Sequence, residues 1–289
     1  MQQPRTDLAV ERVEQVCEDT KKEQLAGVRQ EVRKKEGVTV TEVVVEDGHA
    51  ARVLSKPEGT YVTIDLTPFR QASINVEGEL SVVAEELRRL LPETGLVLVA
   101  GLGNEQITPD AIGPKTAGGI LATRHIMQSE HKVEGLPELR SVAVVSPGVM
   151  GQTGIETAEL IRSVCRQVSP AAVIAVDALA SESIARLGTT VQLTDTGISP
   201  GSGVQNKRQT LNEQTLGVPV IAVGIPTVVD AASIASSQAD ESGTPLSGCM
   251  VTPREIDVII DKASSLLALA INKALQPSLS VEEIMGLTE

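Results

Sequence analysis

The chain reads as an α/β protein: a central, mostly parallel sheet flanked by helices, with a small β-containing N-terminal elaboration. Three observations predict this. Short, almost wholly aliphatic runs recur at 96–100, 142–145, 173–176 and 220–225. A strand that is apolar at every position must be covered on both faces, as in a parallel sheet between helices. Helical stretches lie between or after those runs, giving the repeated order strand, turn, helix. Ahead of them, β-branched segments flank the turn-rich strings Glu46-Asp47-Gly48 and Lys56-Pro57-Glu58-Gly59, the pattern of an antiparallel unit or a sheet edge.

Taken in order, residues 1–36 are charged and polar, with Glu14, Glu18, Lys21, Lys22 and Glu23 clustered, and read as a solvated arm or surface helix. Residues 38–45 and 61–66 read as strands, and 80–91 as a helix with Val83, Leu87 and Leu90 on one face. Thr108-Pro109-Asp110 reads as a helix start, with Thr as N-cap and Pro next. Thr153-Gly154-Ile155-Glu156 has the form of a capping box opening a helix over 156–167, on which Cys165 would be a small buried hydrophobe. Residues 236–248 are polar and Gly/Ser-rich and should form an exposed loop. A second capping box, Thr252-Pro253-Arg254-Glu255, would start a last helix running through Ile256, Ile259, Ile260 and Ala263 to about Lys273. No internal repeat is present.

Composition narrows the function. Tyr61 and Phe69 are the only aromatics in 289 residues, so the core must be aliphatic, and a platform for stacking bases is nearly excluded. A formal charge of −13 repels nucleic acid and anionic membrane and favours basic or neutral partners. Cys17, Cys165 and Cys249 are odd in number and lack any C-x-x-C, which suits a reducing compartment. The first residues lack an apolar h-region and no apolar run approaches the ~20 residues of a membrane helix, so a soluble, cytoplasmic protein is expected.

Two aspartates sit where an open α/β sheet keeps its chemistry. Asp110 follows the first aliphatic run and the turn Gly101-Leu102-Gly103-Asn104, and Asp177 ends the run 172–176. Ligands of such sheets bind beyond the carboxyl ends of the strands. Two carboxylates converging there can share a proton, divide acid and base roles, or hold a metal. The plainer alternative is that Asp110 caps a helix and Asp177 turns a strand. If the pair is catalytic, the helix dipole makes Asp110 the ionised partner and an apolar strand makes Asp177 the one with the raised pKa.

Other motifs fail on context. Gly101-Leu102-Gly103-Asn104-Glu105-Gln106 has Gln106 where a dinucleotide fingerprint needs its third glycine. Gly197-Ile198-Ser199-Pro200-Gly201 fits G-x-S-x-G, but Pro200-Gly201-Ser202-Gly203 cannot open a helix and no His follows. Gly201 to Arg208 is a Gly-rich loop ending in two cations, able to cradle an anion or a peptide backbone, yet it is not a P-loop. His49, His125 and His131 show no metal-ligand spacing, and a set of Asp110, Asp177 and Glu156 is the lesser reading.

Longer strings carry more. Residues 145–157, Val-Ser-Pro-Gly-Val-Met-Gly-Gln-Thr-Gly-Ile-Glu-Thr, closely resemble the germination protease (spore endopeptidase) family of spore-forming bacteria. So do Ala175-Val176-Asp177-Ala178-Leu179-Ala180, Thr194-Asp195-Thr196-Gly197 and Ile225-Pro226-Thr227-Val228-Val229-Asp230-Ala231. The resemblance extends from Arg5-Thr6-Asp7-Leu8-Ala9-Val10-Glu11 to Val251-Thr252-Pro253-Arg254-Glu255-Ile256-Asp257, nearly the whole chain. It implies an endopeptidase of the spore core that degrades small acid-soluble spore proteins at germination, made as a self-processing zymogen and assembled as a homotetramer. It implies a fold similar to that of hydrogenase maturation proteases. The family's two functional aspartates fall on Asp110 and Asp177, with Asn104, Glu156, Asp195, Gly201 and Gly203 as candidate supporting residues. The family's processing site falls between Asp7 and Leu8, leaving residues 1–7 as a pro-segment and 8–289 as one α/β domain, 8–75 the elaboration and 76–289 the core.

This chain departs from the family pattern at Ser199, where a His is usual, at Gln205, where a Gly is usual, and in a shorter segment between Asp230 and Cys249. The reading is therefore a peptide hydrolase in which Asp110 and Asp177 position and activate water while backbone donors of the Gly-rich turns polarise the carbonyl. No cofactor is required, a divalent metal at the pair being the lesser alternative. Rival readings are a nucleoside-phosphorylase-like enzyme on a similar layout and a catalytically silent homologue.

Overall fold

The computed structural model describes residues 6–71, 76–128, 139–201, 208–237 and 249–288. Nine strands among them form one sheet: β1 Val28–Lys35, β2 Val38–Val45, β3 Gly59–Asp65, β4 Val97–Gly101, β5 Val142–Val145, β6 Ala172–Ser181, β7 Thr190–Thr194, β8 Val220–Asp230 and β9 Met250–Val251. Their order is β1-β2-β3-β7-β8-β6-β4-β5, with β9 against the end of β8. Neighbours β5, β4, β6 and β8 run parallel, as the four aliphatic runs predict. The N-terminal strands are antiparallel and extend the same sheet, because β3 pairs with β7 in the register Tyr61 opposite Thr194.

Both faces of the parallel half are covered, and strand alternation decides what each buries. Val97, Val99, Ile174 and Val176 face one aliphatic cluster with Leu80 and Leu87 of helix Val76–Leu90 and Ile259, Leu267 and Ile271 of helix Ile256–Leu275. Leu98, Ala100, Val173 and Ala175 face the other, against Ala158, Ile161 and Cys165 of helix Thr157–Val168. A third cluster joins Ala9 and Val13 of helix Ala9–Thr20 to Val43, Leu54 and Tyr61, so this helix is docked rather than a solvated arm.

The structure departs from the sequence reading in several places. Strand β1 was hidden in the charged first 36 residues because it is an exposed edge, with only Val28, Arg33 and Lys35 less than exposed; charges on an edge strand deter unwanted pairing. The helix expected from Thr252 starts at Ile256, its Glu255 cap makes no side-chain bond, and it is not the last, since helix Val281–Thr288 follows. Thr252 instead donates to the Thr227 carbonyl at 2.8 Å, tying the end of β9 to β8. Thr153 ends the short helix Met150–Thr153, and Gly154, at φ 73°, separates it from helix Thr157–Val168, so the capping box with Glu156 does not form. Strands β6 and β8 run on past their aliphatic stretches, which places Asp177 inside a strand rather than at its end. Of the loop expected over 236–248, residues 236 and 237 belong to helix Ala231–Ser237, and 238–248 lie outside the described residues. No helix among the described residues is long and apolar enough to cross a membrane.

Candidate active site

Asp110 is placed by a turn that only glycine permits. Past β4, the Leu102 N–H still donates to the Val176 carbonyl at 2.8 Å, holding the chain against β6. Gly103 then turns at φ 110°, and a Cβ there would lie 2.1 Å from the Asp110 carbonyl oxygen. The Asn104 N–H consequently reaches the Asp110 carboxylate at 2.7 Å. Residues Thr108–Asp110 form one 3-10 turn ahead of helix Ile112–Gly118, and Asp110 caps the Gly103-Asn104 turn rather than that helix.

Asp177 lies on β6 opposite Gly224 of β8, on the same strand face as Val173 and Ala175. Its side chain is buried and accepts a 2.9 Å bond from the Ala178 N–H. Burial raises its pKa well above the ordinary carboxylate value, and the charges of Asp110 and Asp7 push the same way, against the single Ala178 donor. Asp110 is also raised by burial, with the Asn104 N–H working against it. Asp110 is therefore not held low as the helix-start reading expects, because burial raises it and its carboxylate caps the Gly103-Asn104 turn. Asp177 is still the stronger proton holder, so the pair can present one carboxylate and one carboxylic acid together.

Both carboxylates line one opening of about 350 Å3, together with Gly201, Ser199 and Arg208. Asp7 lines it too. The Asp7 N–H donates to the Ala180 carbonyl at 2.9 Å, and the Ala180 N–H returns a 2.8 Å bond to the Asp7 carboxylate. The segment therefore lies along β6 three residues past Asp177. Leu8 follows it into a buried cluster with Val10 and Leu179.

The remaining candidates divide. Asn104 supports the pair through its backbone, while its side-chain oxygen accepts from the Gln106 N–H and from Gln152. Glu156 is the N-cap residue of helix Thr157–Val168 and does not line the opening. Asp195 is exposed at the end of β7, accepting the Thr60 N–H at 2.8 Å. Gly203 and Gln205 lie outside the described residues, as does His131, while His49 and His125 are exposed. Ser199 hydrogen-bonds the Thr210 hydroxyl at 2.7 Å. Among the described residues no three His, Cys, Asp or Glu side chains gather as metal ligands, so Glu156 does not join the two aspartates. Sequence reasoning passed over Lys56 and Glu11, which hold the segment around Asp7, because neither belongs to a recognisable motif.

Known proteins agree with this arrangement of strings. Residues 5–242 match the germination protease family. The germination protease of Clostridium perfringens is 40% identical over 317 aligned positions, covering 97% of both chains. That of Clostridium acetobutylicum is 38% identical over 325 positions, covering 98% of both. That of Bacillus cereus is 44% identical over 246 positions, covering 82% of this chain and 66% of its own. Among solved structures, a nickel–iron hydrogenase maturation protease from Thermococcus kodakarensis covers 64% of this chain and 98% of its own, at 16% identity and a TM-score of 0.36. With a family match over most of its length and relatives near 40% identity across nearly all of it, this chain belongs to the germination protease family and is a peptidase.

Proposed function

We propose that this peptidase degrades small acid-soluble spore proteins in the germinating spore, acting as a tetramer after removing its own residues 1–7. The observation that carries the reading is Asp7: the chain's own acidic residue, followed by Leu8, lies in the opening lined by Asp110 and Asp177. A substrate with an acidic residue before an apolar one would take the same place along β6. Asp110 takes a proton from water, whose oxygen adds to the carbonyl carbon. Asp177 gives its proton to the leaving nitrogen as the C–N bond breaks. The supporting groups are Asn104, which orients Asp110, and Gly201 at the rim. A net charge of −13 favours basic, disordered substrates once they are free of DNA.

The test is cleavage of basic spore-protein peptides, with intact-mass analysis of the enzyme before and after mild acid incubation. The reading expects loss of residues 1–7 and cuts after acidic residues. A chain that stays full length while cutting peptides removes the zymogen step, and a chain that cuts nothing removes the reading. Activity that chelator abolishes and added divalent ion restores would assign a metal to the pair; indifference to chelator would leave the two carboxyls sharing a proton.

A further inference from the structure

Asp7 is the shared wall of two openings. One, of about 350 Å3, is lined by Asp110 and Asp177. The other, of about 430 Å3, is lined by Lys56, Tyr61, Gln192 and Thr194. Asp7 thus borders both the opening that holds the carboxylate pair and the one that holds the Lys56 ammonium, and Arg208 also lines both. Lys56 follows helix Gly48–Leu54, with Ser55 in the left-handed region at φ 55° and the Lys56 N–H on the Ala51 carbonyl at 3.1 Å. This fixes where its stem starts. Its Nζ donates to the Asp7 carbonyl oxygen at 2.7 Å and lies 3.4 Å from that of Thr6.

We propose that Lys56 is a catalytic residue, the cation that polarises the carbonyl of the bond to be cut and stabilises the oxyanion formed there. The proposal rests on the reading that Asp7–Leu8 is a cleaved bond; the Asp7 carbonyl is then the reacting one. When water adds to its carbon, the π pair moves onto the oxygen that Lys56 already holds, and the water proton goes to Asp110. Collapse re-forms the carbonyl, breaks the C–N bond and leaves the Leu8 nitrogen with the proton from Asp177. One water is consumed, and Lys56 gives up no proton. A donor 2.7–3.1 Å from the developing oxyanion, in a site shielded from water, is where such stabilisation is most effective.

A purely structural lysine is the competing account, and its partners argue against it. Both acceptors that the structure gives Lys56 among the described residues belong to Thr6 and Asp7, in the segment that self-cleavage would remove. A partly buried ammonium that loses its partners gains from another acceptor in their place. The substrate carbonyl is the group that would do so at each turnover. Burial lowers the Lys56 pKa, while Asp7 and Glu11 oppose that shift and Arg12 adds to it. A partly desolvated ammonium gives its charge to the carbonyl rather than to water.

The experiment follows self-cleavage of the full-length chain by intact mass, as a first-order rate, in four proteins: wild type, Lys56→Met, Asp7→Asn and the double variant. Lys56→Met is expected to slow cleavage by about 100-fold or more both in the wild-type chain and in the Asp7→Asn background, the range seen when an oxyanion donor is removed. Lys56→Arg keeps the charge at a different reach and should recover part of the rate. A Lys56→Met rate within about threefold of wild type, well under the tenfold that ~1.4 kcal/mol produces, would overturn the proposal. So would a loss confined to the chain that keeps Asp7, since Lys56 would then serve the side chain and not the carbonyl. Should Lys56→Met not fold, Lys56→Gln, which keeps a neutral donor, is read by the same criteria. Failure of wild type to cut at this bond while Asp110→Asn behaves alike would instead strike the reading beneath it.

Discussion

Asp110 and Asp177 differ more in surroundings than in chemistry, and the proposed mechanism divides acid and base between them on that difference. The amide of Asn is nearly isosteric with the carboxyl but carries no titrating proton, so Asp110→Asn and Asp177→Asn should each lower peptide cleavage by at least about 100-fold with the fold intact. Activity within about tenfold of wild type would remove that residue from the mechanism. Both variants should shift stability the same way, Asp177→Asn by more, because burial raises both carboxyls and Asp177 further. A raised pKa in the folded protein means that the folded state keeps the Asp177 proton when the unfolded chain has released it. Its contribution to stability is complete below the unfolded value of about 3.9 and is lost as pH rises through the folded value. At neutral pH the unfolded chain ionises freely while the folded one must keep the Asp177 proton or bury its charge, so that contribution is lost, and Asp177→Asn should melt higher than wild type at pH 7 but not at pH 4. Melting curves at the two pH values check this, and a lower melting point at pH 7 would contradict it. Asp110 was legible as a candidate because a turn and a Pro preceded it. The Asn104 donor and the burial that raises its pKa were not, since both depend on how the turn folds back.

At the scale of elements, the site depends on how closely helix Ile112–Gly118 approaches the sheet. A Cβ on Gly113 would lie 2.1 Å from the Leu102 carbonyl oxygen and 2.5 Å from that of Val176, both backbone atoms that cannot step aside. Gly113→Ala must then push the helix off β4 and β6 and carry Asp110 with it. Overpacking of this kind costs about 1–3 kcal/mol, and each kcal/mol lowers Tm by about 2–4 °C in a protein of 150–250 residues. Calorimetry with a cleavage assay should show both stability and rate falling; an unchanged melting point would show that the helix has room to move. The aliphatic runs made β4, β5, β6 and β8 readable, because strands covered on both faces have no polar side to blur the signal. Helix Val76–Leu90 was readable for the opposite reason, its apolar stripe being one-sided. Edge strand β1 and the short helices around the site were not, since their sequences answer to solvent and to neighbouring chain rather than to a core.

Across the whole molecule, one buried carboxylate ties the start of the chain to the strand that bears Asp177. Glu11 accepts the Glu182 N–H at 2.7 Å, the Ser183 N–H at 3.1 Å and Arg186 at 3.3 Å, and the Thr6 hydroxyl closes on the same side chain. Arg186 is in turn held by Glu14 at 2.8 Å. Glu11→Ala leaves two half-buried backbone donors without that acceptor, at about 1 kcal/mol each, and frees the residues before Leu8. We expect a lower melting point and slower self-cleavage, read by calorimetry and intact mass; a variant that self-cleaves at the wild-type rate would show that helix Ala9–Thr20 alone positions the segment.

By itself the sequence determined the parallel half of the sheet, the aliphatic character of its core and the family, and it singled out the two aspartates as candidates, because each is written in contiguous residues whose pattern needs no partner to be read. Only the tertiary structure decided that the N-terminal strands continue the same sheet through β3 and β7, since strand pairing is a relation between residues 61 and 194 that neither segment declares. It also placed Asp7 beside Asp177 and Lys56 on the Asp7 carbonyl. Those contacts join positions 7, 56 and 177 across a folded sheet, and long-range proximity is set by packing rather than by any local preference of the chain.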